Sequence, residues 1–200
     1  QACCLLCFED GPVEGSKLDP YYSNRNQFQI GMMEAPSKNC TWCCFGCWCS
    51  PCAQFIVRKR ALEGNLDNYV CCQGYFPMCC MNPGDCGEKD CPCFCLAMES
   101  TFCNSCAVSS SRMYIMDKFS LVPDPWDNRI IRFNNFVQLL SCICNIAAIF
   151  MEEIRELARI IDLIADLVYM STVGCMTGQM IYEMEYQEQN APKAQAILDR

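Results

Sequence analysis

Cysteine is the residue type able to do chemistry in this chain, and it is concentrated. Of 22 cysteines, 16 fall between Cys40 and Cys106. They come as vicinal pairs (Cys43-Cys44, Cys71-Cys72, Cys79-Cys80) and as C-x-C steps (Cys47/Cys49, Cys91/Cys93/Cys95, Cys142/Cys144). C-x-x-C steps join Cys40/Cys43, Cys44/Cys47, Cys49/Cys52 and Cys103/Cys106. A hydrophobic core has no use for that many thiols. Three chemistries suit them: oxidation to disulfides, ligation of a soft metal, and acylation by lipid.

The metal reading needs two C-x-x-C steps brought together, with four thiolates about 2.3 Å from a zinc ion. Cys40/Cys43 or Cys49/Cys52 with Cys103/Cys106 supplies such a pairing. The candidate ligands are Cys40, Cys43, Cys44, Cys47, Cys49, Cys52, Cys91, Cys93, Cys103 and Cys106, and structural zinc is the expected cofactor. An even cysteine count with loop-rich spacing equally suits an oxidised framework. For redox catalysis the local match is Cys49-Ser50-Pro51-Cys52 ahead of a helix, where the dipole lowers a thiol pKa. No alternation of strands and helices surrounds it.

The chain has no histidine. That excludes a Cys-His nucleophile, a Ser-His-Asp triad and a mixed Cys/His zinc finger within it. The expectation is a protein without enzymatic activity. A net charge of −8 argues against nucleic acid, since phosphate binding needs a concentrated basic surface. Arg58-Lys59-Arg60 is a basic run, expected on a solvated helix face or against anionic lipid headgroups. The chain opens at Gln1, as expected of a processed or partial chain, and shows no basic segment followed by an apolar one of the signal-peptide kind.

These residues must be positioned by elements, and the fold expected is mainly α. Residues 1–39 read as a loop-rich segment, with Phe28-Gln29-Ile30 as one short strand. Residues 40–120 form an irregular cysteine-rich module, stapled by disulfides or metal. Within it Pro51 opens a helix from Ala53 to Glu63, with Gly64 at its C-cap. Residues 65–95 are loop, and a helix of about 20 residues covers 96–120. Residues 124–188 are a long helical region, as a hairpin or bundle, and 189–200 a polar tail. Asp124-Pro125-Trp126-Asp127 marks the helix start: an N-cap, a proline at the first position, and a charge facing the positive helix end.

From Phe133 a heptad seam runs Phe136, Leu140, Ile143, Ala147, Phe150, Ile154, Leu157, Ile161, Ile164, Val168. Beside it lies a second stripe: Val137, Cys144, Met151, Ala158, Ala165. The seam needs a partner, either the helix of 96–120 or another copy of the chain. Residues 133–151 carry no charge and are marginally long enough to cross a membrane, yet Asn134, Asn135, Gln138, Ser141 and Asn145 interrupt them. Gly174-x-x-x-Gly178 lies in a second uncharged run, where two glycines let helices approach closely. The charges between the runs, from Glu152 to Asp166, argue against a hairpin of two spans.

Cys43-Cys44-Phe-Gly-Cys47-Trp-Cys49-Ser-Pro-Cys52-Ala-Gln-Phe, with a basic helix, Cys91-Pro92-Cys93 and Arg112, resembles the cysteine-rich placenta-specific-gene-eight-like family, which includes plant cadmium-resistance and fruit-weight-regulator proteins. The likeness covers about residues 40–119. Cys44, Cys49, Cys52, Cys91 and Cys93 match its motif positions, while Ser50 and an extra cysteine depart from them. The resemblance implies membrane association, self-association and divalent-metal handling, and no enzyme activity.

The leading expectation is therefore a cysteine-rich membrane-associated protein, on the cytoplasmic face. It would handle a divalent metal and assemble through its C-terminal helix with itself or a larger complex. A disulfide- or zinc-stapled structural subunit, extracellular if oxidised, is the alternative. A thiol redox protein is the third reading.

Overall fold

The computed structural model describes residues 18–76, 84, 87–150 and 154–198, without the side chains at 126, 130, 131, 134, 135, 138, 148–150, 154 and 191–198. Cys3, Cys4, Cys7, Cys79, Cys80 and Cys86 fall outside the described residues, as do the seam side chains of Phe150 and Ile154 and the stripe residue Met151.

The fold is helical. Short 3-10 turns at Asp19–Ser23 and Met32–Glu34 lead into α1 (Ala35–Lys38), α2 (Cys40–Trp48) and α3 (Ser50–Ala61). Two further 3-10 turns, Leu66–Asn68 and Cys71–Gly74, precede α4 (Pro92–Phe102) and α5 (Asn104–Phe119). Then come α6 (Pro125–Phe150) and α7 (Ile154–Leu198). Among the described residues there is no strand. Where Phe28-Gln29-Ile30 was expected to form one, an isolated bridge joins Asn26 to Leu121 instead.

The cysteine-rich module is more regular than its loop-like composition suggests. Cys49, Cys91 and Cys103 each sit outside helical geometry, just ahead of a helix. Pro51 and Pro92 fall in the first turns they open, where a missing N–H costs nothing. Cys103 breaks the helix expected over 96–120 into α4 and α5. Ser120 then adopts a left-handed conformation (φ 51°), and Leu121 N–H bonds to Met116 O at 2.9 Å.

α6 starts where the sequence places it. The Asp124 N–H donates to Asp127 Oδ2 at 2.8 Å, and Asp127 N–H returns to Asp124 O at 2.9 Å. Asp127 also takes a buried ion pair from Arg112, 2.7 Å away. The long helical region expected over 124–188 is a hairpin of two antiparallel helices, α6 and α7. Asn145 Nδ2 donates to Asp162 Oδ1 at 2.8 Å, and Gln179 Nε2 donates to Asp124 Oδ2 at 3.0 Å. Beyond Glu188, where a polar tail was expected, α7 runs on through Pro192 to Leu198.

The C-terminal half of α7 is the central helix of the module. Val173, Met176, Met180, Ile181 and Met184 pack against Val57 and Ala61 of α3 and Val108, Met113 and Met116 of α5. Six methionines lie in or against this core, and their unbranched thioethers fill the irregular gaps between crossing helices. The N-terminal half of α7 leaves the module with α6 as a protruding hairpin. Its inner contact is the second stripe: Val137, Ala158 and Ala165 are buried. The heptad seam turns outward, with Leu140, Ile143, Leu157 and Ile164 exposed. Small residues win the hairpin interface because they let the two backbones approach. Among the described residues, the helices over 96–120 leave these seam positions uncovered.

The basic run is not a solvated face. Arg58 is fully buried, and Arg60 reaches α7 at Glu185 (3.1 Å) and Glu188 (2.8 Å). Lys59 is the exposed member. Half-exposed pairs contribute little. Arg60→Ala is expected to cost less than about 1 kcal/mol in denaturant unfolding, an effect that raised salt erases.

Candidate metal centre

The ten cysteines expected as ligands are spread over several environments. Cys40 and Cys44 lie on the exposed side of α2 with their sulfurs 3.7 Å apart. Cys43 and Cys47 face α7, against Gly178 and Gly174. The two glycines at i and i+4 make the notch into which α2 settles. Cys49 and Cys52 are joined as a disulfide at the head of α3. Cys91 and Cys93 are exposed at the start of α4, and Cys103 is half-buried between α4 and α5. Cys106 is also half-buried, and its charge acts on Cys72.

Among the described residues, the side chains whose ligand atoms come together are Cys71, Cys72 and Glu99, all within 4.8 Å of one another. None of the three is among the ten. The vicinal pair was visible in the sequence, but Glu99 lies 27 residues further on in another helix. One signal could have found it: Glu99 is an acid at i+3 from the buried Leu96, on the inner face of α4.

Local backbone chemistry fixes this cluster. Cys72, Gln73 and Gly74 are successive left-handed residues, with φ of 49°, 48° and 74°. Left-handed geometry costs roughly 1–2 kcal/mol for each side-chain-bearing residue. The turn is held by the Gln73 side chain accepting from Val70 N–H (2.9 Å) and by Glu99 Oε2 accepting from Cys72 N–H (2.8 Å). Such strain persists where surroundings over-determine it, commonly at functional sites. Glu88 closes another side. Its Oε1 accepts from Cys71 N–H at 2.7 Å, while its buried Oε2 has no hydrogen-bond partner.

Beneath the cluster lies a buried polar knot. Tyr69 donates its hydroxyl to Glu99 Oε2 at 2.7 Å. Arg58 Nη2 stands 3.4 Å from Glu99 Oε1 and donates to Ala107 O at 3.1 Å, while its Nε donates to Ser111 Oγ at 3.0 Å. Ser110 bonds to Arg58 as well. Burial pulls the Arg58 pKa down, against the opposing pull of Glu99. Burial, followed by the Glu99 charge, pushes the Cys72 thiol up. Both cysteines must release protons to bind a metal, so binding here is pH-dependent. Two thiolates and a carboxylate form a soft, borderline donor set of the kind zinc and cadmium take. A tetrahedral thiolate site holds its ligand atoms about 3.8 Å apart, so small side-chain rotations close this one.

Two other buried groups, the Cys43 thiol and the Tyr21 phenol, titrate late. Burial pushes Cys43 from 9.0 up to about 12, and Tyr21 from 10.0 up to about 12. A group raised in the folded state gives its full stabilisation below its unfolded pKa and loses it as pH climbs to the folded one. Unfolding free energy should therefore hold to pH 9.0 and fall between there and about 12. The expected slope is about 1.4 kcal/mol per pH unit for each group, from pH 9.0 for Cys43 and from pH 10.0 for Tyr21, measured by urea titration. Cys43→Ala should flatten its share of that slope.

No family model, curated protein or solved structure matches this chain.

Proposed function

We propose that this protein is a non-enzymatic cysteine-rich module that holds a soft divalent metal, zinc or its analogue cadmium, at Cys71, Cys72 and Glu99. The observation that carries the reading is the convergence of these three ligand atoms within 4.8 Å on a left-handed turn. Cys106 and the unpartnered Glu88 Oε2 are the nearby candidates to complete the coordination. Divalent-metal handling is also what the resemblance over residues 40–119 implies.

The test is titration of the reduced full chain with Cd²⁺, followed by thiolate-to-metal absorption in the ultraviolet. One tight equivalent is expected. Cys71→Ser and Cys72→Ser should each weaken it at least about tenfold, while Cys91→Ser and Cys93→Ser, on exposed thiols, leave it unchanged. Binding that survives the loss of Cys71 and Cys72 together would sink the proposal.

A second reading has its own observation. Arg155–Asn190 includes a window of mean hydropathy 1.5, long and apolar enough to cross a membrane. Val173, Met176 and Met180 of that stretch are buried in the module, so lipid contact would fall on the hairpin. Co-flotation of the chain with lipid vesicles tests it. The redox alternative keeps the Cys49–Cys52 disulfide at the head of α3 as its support.

A further inference from the structure

The last turns of α3 and α5 both border an open cavity of about 410 Å³. Small-molecule sites commonly measure about 300–1,000 Å³. Tyr75 and Tyr114 line it with aromatic rings, and Asn68 and Asp117 with polar groups. The hydroxyls of Tyr21 and Tyr75 both donate to one oxygen of Asp117, Oδ2, the former at 3.1 Å. Both phenols are neutral donors. Burial, with the Asp117 charge behind it, pushes Tyr21 up to about 12, and burial pushes Tyr75 up as well. The neighbouring lysine is engaged elsewhere: Lys118 Nζ meets Glu63 Oε1 and the carbonyl of Ala61, each 2.8 Å away. Among the described residues Asp117 is in no ion pair. The lining holds two acids, Glu63 and Asp117, against one lysine, so one negative charge is left over. The C-terminal ends of α3 and α5 add partial negative charge.

We propose that this cavity binds a primary alkylammonium ion, its nitrogen on Asp117 and its chain against the rings of Tyr75 and Tyr114. Three features select that class. Aromatic faces attract cations that carry little hydration, which favours an organic head over a metal ion. The acceptors that remain call for a head with N–H groups: Asp117 Oδ1, which takes no hydrogen bond from the described residues, and the Asn68 side chain. A quaternary ammonium has no N–H to give them. One surplus charge suits one cationic head and not a diamine. Calcium fits less well, because it takes about six to eight oxygen ligands, and a bare ion would leave most of the cavity empty. None of these residues is a ligand proposed above, so the inference stands apart from the metal.

The probe is n-butylammonium chloride, titrated into the reduced full chain at neutral pH and followed by calorimetry and by amide chemical shifts. Sodium chloride and n-butanol are the controls. A dissociation constant of about 1 mM is expected, with shifts confined to Asn68, Tyr75, Tyr114, Asp117 and their neighbours. Asp117→Asn keeps an acceptor for both phenols and should weaken binding at least about tenfold. Tyr114→Leu keeps an apolar wall without the π face and should weaken it about threefold. Unchanged circular dichroism and cadmium binding show that both variants fold. Shifts scattered over the acidic residues of the chain would mean attraction by net charge alone, and would overturn the inference. So would n-butanol binding as tightly, binding untouched by Asp117→Asn, or no response of the wild-type chain at about 20 mM amine.

Discussion

Replacing Arg58 with methionine should lower the unfolding free energy by about 3–5 kcal/mol, the cost of orphaning a buried charge. The methionine matches the aliphatic length of the side chain, so packing is largely kept. What is lost is every donor that faces Glu99 from α3, together with the bonds to Ser111 and the Ala107 carbonyl. Glu99 is then buried with Tyr69, the Cys72 amide and the Ser110 hydroxyl as neutral donors. Against a typical stability of about 5–15 kcal/mol this is a large fraction. Arg58→Met combined with Glu99→Gln should regain about 2 kcal/mol, because the amide keeps an acceptor for Tyr69 without the uncompensated charge. Denaturant unfolding followed by circular dichroism gives both numbers. If the single substitution costs under about 1 kcal/mol, the ion pair does not organise the junction of α3, α4 and α5.

The same residue shows what could be seen in the sequence and what could not. Arg58-Lys59-Arg60 reads as three equivalent surface charges, and nothing local separates them. The separation comes from the neighbours α3 meets: α4 and α5 enclose Arg58, and α7 reaches Arg60. Local signals did carry the element starts. Pro51 opens α3 and Asp124-Pro125-Trp126-Asp127 opens α6, because caps and first-turn prolines act within a few residues. The end of α3 falls short of the expected C-cap Gly64, with Leu62 as the C-cap and Glu63 the first left-handed residue. The heptad seam was legible as a pattern, but its facing was not. Two stripes of similar strength ran side by side, and the stripe with the smaller residues became the contact within the hairpin. The candidate ligand cluster was the least legible. Local C-x-x-C and C-x-C spacing favoured ten cysteines, while the cluster that forms draws on a left-handed turn and on Glu99 of a different helix.

Gly174 carries the other large effect. α2 lies so close to α7 that a β-carbon at Gly174 would stand 2.7 Å from Cys43 O and would also collide with the Cys47 sulfur. At Gly178 the collision is with the Cys43 sulfur, while the nearest backbone atoms stand 3.5 Å away. The two glycines look alike in sequence and differ in what blocks them. A side chain can be shortened, whereas a carbonyl in a helix can yield only by moving the helix. Gly174→Ala is therefore expected to cost about 2–3 kcal/mol, and Cys47→Ala should not rescue it. Gly178→Ala should cost a similar amount, and Cys43→Ala should recover most of that. The contact between these helices buries Cys43 and fixes Gly46 of α2 against Thr177. Opening it should therefore bring the Cys43 thiol within reach of iodoacetamide in the folded chain. Equal rescue at both positions would mean that sulfur volume, and not backbone approach, sets the distance between α2 and α7.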